Sequence, residues 1–218
     1  AGIDPLFLAM ALLVVPPLLL LYWFPRMPPE ANDLQRSSSD SLPFGAVILI
    51  SMISVGAFYV SVGSFWPFVG EIGKSAGLDY RHASDVAAIA YIAAMAGALA
   101  AAFLAEYLRR QILTAASIIG ALATQIVLLG TPENATVFAA CTIAYMFFWG
   151  LLYPVFMGFS SEVDPSGRMN GYIGMLATIG IAVGPTLGGA VVGLGATPLE
   201  GLHNLLWMSG AFLALSLL

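Results

Sequence analysis

The residues best suited to chemistry in this chain stand singly inside long apolar stretches: Tyr59, Tyr91, Gln125, Tyr145, Trp149 and Thr178. Tyr145 and Trp149 are four apart, the spacing that puts two side chains on one face of a helix. An amphipathic aromatic pair of this kind can stack on a flat apolar ligand or hold a cation over its ring faces. The other four could line the same path with hydroxyls and an amide. This is the chemistry of binding a small organic molecule, and it depends on what carries those side chains.

The carrier must be a membrane bundle. The chain is 60% hydrophobic and 9% charged, whereas a soluble domain is about 25% charged. With a mean hydropathy of +0.92, there is too little polar surface to keep a globule in solution. The fold class expected is therefore all-α and integral to a lipid bilayer. The net charge of −5 falls in short connections, and no basic stripe of the kind nucleic acid requires is present.

Seven mostly apolar runs reach the length of about 18 residues needed for a bilayer: 5–24, 44–69, 86–105, 111–130, 135–159, 170–195 and 202–218. Asp4-Pro5 has the form of an N-cap followed by a first-turn proline, and "TPEN" (131–134) is a turn cluster. Pro16-Pro17 predicts a kink in the first run, tolerable in lipid where neighbours satisfy the freed carbonyls. The one long polar stretch, 25–43, is rich in Pro, Ser and charge and reads as a flexible linker. The organisation expected is thus one helix (1–24), a linker (25–43) and a six-helix bundle (44–218) that stops inside an apolar run, as in a piece of a longer protein.

If the helices alternate, Arg26, Arg36, Arg109, Arg110 and Arg168 fall on one side, and only Lys74 and Arg81 on the other. The excess of positive charge marks the cytoplasmic side, which places the linker and the C-terminus inside a cell membrane, inner or plasma. Asn134-Ala135-Thr136 matches a glycosylation acceptor but would sit almost at the membrane surface. Trp66, Tyr153 and Trp207, near helix ends, fit an interfacial aromatic belt.

Alternation also tests other chemistries. "GFSS" (158–161) and His203 suggest an intramembrane serine protease, but Ser160 falls near one face and His203 near the other, beyond the reach of about 3 Å that a dyad needs. The last run has no lysine for a retinal Schiff base, and no ring of charges or carbonyls resembles a channel filter. Cys141, the one cysteine, excludes an internal disulfide and a cysteine-based metal cluster and reads as a small apolar residue. No enzyme activity, cofactor or metal is expected.

"GYIGMLATIGIAVGPTLGGAVVG" (171–193) is the most unusual run, with seven glycines and a proline. Each interior glycine costs a helix roughly 1 kcal/mol relative to alanine. In lipid, small residues four apart repay this by letting backbones touch. Gly180, Gly184 and Gly188 have that spacing on one face, and Gly189 and Gly193 form a second pair on another. Pro185 predicts a bend or swivel between them.

The spacing Gly171, Gly180, Gly184-Pro185, Gly188-Gly189 resembles the antiporter signature of the major facilitator superfamily at every fixed position. One helix, a cytoplasmic linker and six helices resemble helices six to twelve of its twelve-helix transporters, with the glycine run as the eleventh. "FLAEYLRRQ" (103–111) is similar to a degenerate copy of the family's loop motif: Glu106 stands for the motif's Asp and Arg110 for a base, while Ala102, Arg109 and Gln111 depart from it. "DPSGRMNGY" (164–172) resembles the loop before the eleventh helix, where Arg168 could pair with Glu162, Asp164 or Glu106 as a cytoplasmic latch.

The resemblance implies two bundles rocking about a mid-membrane site. It implies a secondary transporter of small organic molecules, exporting them in exchange for protons; symport, uniport and a non-transporting sensor or scaffold are the alternatives. No run carries a carboxylate at its middle, since Asp4, Glu71, Asp85 and Glu106 all flank runs. A proton carrier would then lie in the N-terminal half that this chain lacks.

Overall fold

Capping residues fix where the helices begin. The computed structural model describes residues 46–131, 133–163 and 167–217, with side chains from residue 49 onward and without those of Glu162 and Val163. The expected first helix, the linker and Asp164 lie outside them. The described elements are α1 (Ala46–Phe65), a 3-10 turn (Trp66–Phe68), α2 (Val69–Ser75), α3 (Tyr80–Leu104), α4 (Arg110–Gly130), α5 (Ala135–Val163), α6 (Arg168–Val192) and α7 (Pro198–Leu215).

The run expected over 44–69 is longer than its hydropathy suggests. Trp66–Phe68, with Pro67 at its centre, forms a single 3-10 turn, after which the helix resumes as α2. Tyr80 closes the following connection by donating its hydroxyl to Glu71, with Lys74 Nζ 4.8 Å from its ring centre. Helix α3 starts at Tyr80 rather than 86, because Asp79 caps it by accepting the His82 N–H at 2.8 Å.

Asn134 likewise accepts from the amides of Thr136 and Val137, at 3.0 and 3.1 Å, and opens α5. At α7, Thr197 accepts the Glu200 N–H at 3.2 Å while Glu200 accepts the Ala196 N–H at 2.9 Å, with Pro198 in the first turn. This box-like cap starts α7 ahead of the expected 202.

Five of these segments are long and apolar enough to cross a membrane: Leu49–Ser75, Tyr80–Leu104, Arg110–Gly130, Ala135–Ser161 and Arg168–Val192. Helix α7 has 18 residues, and Glu200, His203 and Asn204 make its first turns more polar. The chain is thus all-helical among the described residues and has the character of a multi-pass membrane protein.

Side-chain pairings give the relative directions. Ser54 donates to the Ser216 carbonyl and Ser61 meets Ser209, so α1 and α7 are antiparallel. Gly180 abuts Tyr59 and Gly188 abuts Ser64, so α1 and α6 are parallel. Ala83 and Phe138 flank Gly73, while Gly97 meets Phe147 and Leu151, so α3 and α5 are parallel as well. Gly120 against Phe148 and Gly158 against Arg110 make α4 antiparallel to α5. Consecutive long helices therefore alternate, and the starts of α1, α4 and α6 share one end of the bundle with the finishes of α3, α5 and α7.

Candidate functional site

The glycine run makes one close crossing. A Cβ on Gly180 would come 2.7 Å from Tyr59 Cβ, and one on Gly188 would come 2.9 Å from Phe68 and 3.0 Å from Leu205. At Gly184 an added Cβ would fall on the backbone of Gly63 and Ser64. The contact is reciprocal, since a Cβ on Gly63 would lie 2.7 Å from the Gly180 carbonyl oxygen.

The expected second gripping face is different. A Cβ on Gly189 would lie 3.9 Å from Phe68, and one on Gly193 would meet only carbonyls of its own helix, so among the described residues no second helix is drawn in there. Gly171 is exposed, and a Cβ added there would meet nothing within 4 Å among the described residues. Helix α6 continues through Pro185.

A second crossing lies between α3 and α5, which sequence reasoning missed. A Cβ on Gly97 would strike the Phe147 carbonyl, and one on Gly150 the Ala94 carbonyl. Its signal was present in the stripe Ala83, Ala90, Ala94, Gly97 and Ala101, all buried on one face of α3. It was also present in the four-residue step from Gly150 to Pro154 in α5. Both crossings join parallel helices and both include a helix with an internal proline.

The six path residues divide by exposure. Tyr59, Gln125 and Tyr145 are fully buried, whereas Tyr91 is 51% exposed and Thr178 is exposed, its hydroxyl donating to the Gly174 carbonyl of its own helix at 2.9 Å. Tyr91 packs edge-on against Trp66, with ring centres 5.1 Å apart. Tyr145 is wholly enclosed by protein and packs against Phe65 with ring centres 4.7 Å apart and planes tilted by 52°. Trp149 is half-buried, and its indole N–H is buried without a partner.

What does converge is a polar knot whose hydrogen bonds join three helices. Ser61 on α1 and Ser209 on α7 lie 2.8 Å apart, and Gln125 on α4 donates its amide to Ser209 Oγ at 2.8 Å. The Tyr145 hydroxyl on α5 approaches Ser61 without reaching hydrogen-bond geometry. Gln125 Oε1 and the hydroxyls of Tyr59 and Thr142 are buried without hydrogen-bond partners among the described residues. Polar atoms left unmade in an apolar interior are costly, each about 1–3 kcal/mol. Only Gln125 and Tyr145 of this knot were foreseen, because the serines look like ordinary small residues in the sequence.

At the end where α1, α4 and α6 start, Glu106, Arg109 and Arg168 are exposed, and no ion pair joins Glu106 to Arg168. Asn170 bridges the connection instead, meeting Ser160 and donating to Ser161 at 2.9 Å. Ser160 is thereby committed to α6, while His203 lies in the early turns of α7 at the other end. Arg110 turns inward: a Cβ on Gly158 would come 2.7 Å from its Nη1. It forms part of the wall of a cavity of about 330 Å³.

The chain matches no protein-family model, and no curated protein or solved structure is similar to it.

Proposed function

We propose that the chain is the C-terminal part of a major facilitator superfamily transporter, moving small organic molecules by alternating access and exchanging them for protons. The carrying observation is the pair of glycine crossings, α1 with α6 and α3 with α5. Two like crossings between parallel helices are what a three-plus-three inverted repeat would produce. In this reading α7 completes a six-helix bundle, the linker and C-terminus are cytoplasmic, and the membrane is a cell membrane. The glycine spacing from Gly171 to Gly189 adds the resemblance to an antiporter, and the buried polar knot supplies the unmet hydrogen-bonding groups that transporters keep near mid-membrane.

The test uses the protein in inverted membrane vesicles with an acidified interior. Collapse of the pH gradient by one class of organic compound, dependent on the protein, supports proton antiport. Compound movement without proton movement points to uniport. No movement across a broad panel, with the protein inserted, favours the sensor or scaffold reading.

A further inference from the structure

The described helices repeat in sequence as well as in packing. Gly63 and Gly150, Pro67 and Pro154, Arg81 and Arg168, and Gly97 and Gly184 each stand 87 residues apart. The same step carries α1 with α2 onto α5, α3 onto α6 and α4 onto α7, matching every helix end to within two residues. The contacts follow it too: a Cβ on Gly63 would meet Ile181 and one on Gly150 would meet Ala94, and Gly184 meets Ser64 as Gly97 meets Leu151. Because equivalent helices start at opposite ends of the bundle, the repeat is inverted.

The two copies differ at their shared proline. In the first, the helix gives way to the 3-10 turn at Trp66–Phe68 and resumes as α2, whereas α5 runs unbroken through Pro154. A stretch of 3-10 within a helix commonly marks a hinge. Pro67 lies toward the end where α1 finishes and Pro154 toward the end where α5 finishes, so the two prolines sit toward opposite ends of the bundle.

Those ends differ in the same sense. Beyond Pro67, α2 is packed down, since a Cβ on Gly73 would come 2.9 Å from both Ala83 and Phe138. Beyond Pro154 lies the cavity of about 330 Å³, lined in part by Ser51, Ile118 and Phe159. The residues equivalent to these three, Phe138, Leu205 and Ile72, are all buried at the other end. The bundle is filled where the helix is broken and hollow where it is not.

We propose that the two copies exchange these conformations. In the second state α5 breaks at Pro154 and its last turns fold over the cavity, while α1 runs unbroken through Pro67 and opens the opposite end. This deepens the alternating-access reading, but it rests on the repeat and the broken helix and needs neither a family nor a coupled proton.

The test is pulsed electron–electron resonance on the protein in lipid nanodiscs, with Cys141→Ala removing its one thiol. Nitroxide labels at Leu49 and Ser161 report on the cavity end, and labels at the equivalent Thr136 and Lys74 report on the opposite end; all four positions are exposed. Each pair is expected to show two distances, with matching populations at the two ends. Replacing a proline favours the unbroken helix at that site, so Pro154→Ala should shift the populations about tenfold or more toward the form with the broken α1, and Pro67→Ala as far toward the other. A single distance at both ends, in the protein with both prolines and in Pro67→Ala, overturns the proposal; transport without this exchange would then remain open to the vesicle assay. Shifts in the same direction in the two variants, or no shift in either, overturn it as well.

Discussion

The carbonyl of Ile181 lies over Gly63, where an added Cβ would stand 3.2 Å from its oxygen and 2.8 Å from the Ile181 Cα. That carbonyl has lost its helical partner, because residue 185 is a proline and has no N–H to donate. Glycine on α1 and proline on α6 thus meet at one point: the proline frees a carbonyl and the glycine lets a backbone come against it. The α3–α5 crossing repeats the logic, since Pro154 withholds its N–H from the Gly150 carbonyl and Gly150 is itself a contact residue.

Alanine at the first crossing should overpack it. Gly63→Ala or Gly184→Ala is expected to destabilise the bundle by about 1–3 kcal/mol. Gly171→Ala, on an exposed face where the new Cβ meets nothing within 4 Å among the described residues, should be neutral or slightly stabilising. Equilibrium unfolding in mixed micelles separates the cases, and equal effects at positions 171 and 184 would contradict the packing account.

The second crossing should respond alike. Gly150→Ala would drive a methyl group into the Ala94 carbonyl and is expected to destabilise as much as Gly184→Ala, although residue 150 lies outside the glycine-rich run. The same unfolding measurement checks it.

The polar knot makes an asymmetric prediction. Ser209→Ala leaves the Gln125 amide buried with no partner at either end and should cost about 1–3 kcal/mol. Gln125→Leu removes the stranded oxygen together with the donor and leaves Ser61 and Ser209 without an added orphan, so its cost should be smaller. A larger loss for Gln125→Leu in unfolding experiments would contradict this arrangement.

Asp79 gives a pH dependence confined to the first turn of α3. The backbone N–H of His82, and then its side chain, hold this carboxyl below the usual carboxylate range. Because the folded-state value is the lower one, the cap's contribution is complete above the unfolded value of about 3.9. It is lost as the pH falls through the depressed value. The protection of the His82 amide, its exchange rate relative to an unstructured peptide at the same pH, should therefore fall in acid, and Asp79→Ala should lower that protection even at neutral pH.

The sequence made the membrane class, the breaks between most helices and the Gly180–Gly184–Gly188 face legible, because each rests on local composition or on spacing along one helix. The α3–α5 crossing was harder to see, since alanine is common in any apolar helix and the meaning of Gly97 depends on a partner about fifty residues away. Depth along a helix carries no direction: Tyr59 and Tyr145 are buried in the bundle, whereas Tyr91 and Thr178, also at middle depth, are exposed on it. Arg110 read as a base of the cytoplasmic loop motif, and its inward turn went unforeseen because nothing in its own helix signals the space opened by Gly158. The polar starts of α3 and α7 hid several helical residues, and their caps at Asp79 and Thr197 would have recovered them.

The most direct test of the account compares solute-driven proton flux in vesicles matched for inserted protein, carrying the unmodified chain, Gly184→Ala or Gly171→Ala. If the glycine crossing is a working part of a transporter, the unmodified protein and Gly171→Ala carry similar flux and Gly184→Ala loses most of it. Equal flux in all three, or none in the unmodified protein across the panel, would contradict the account.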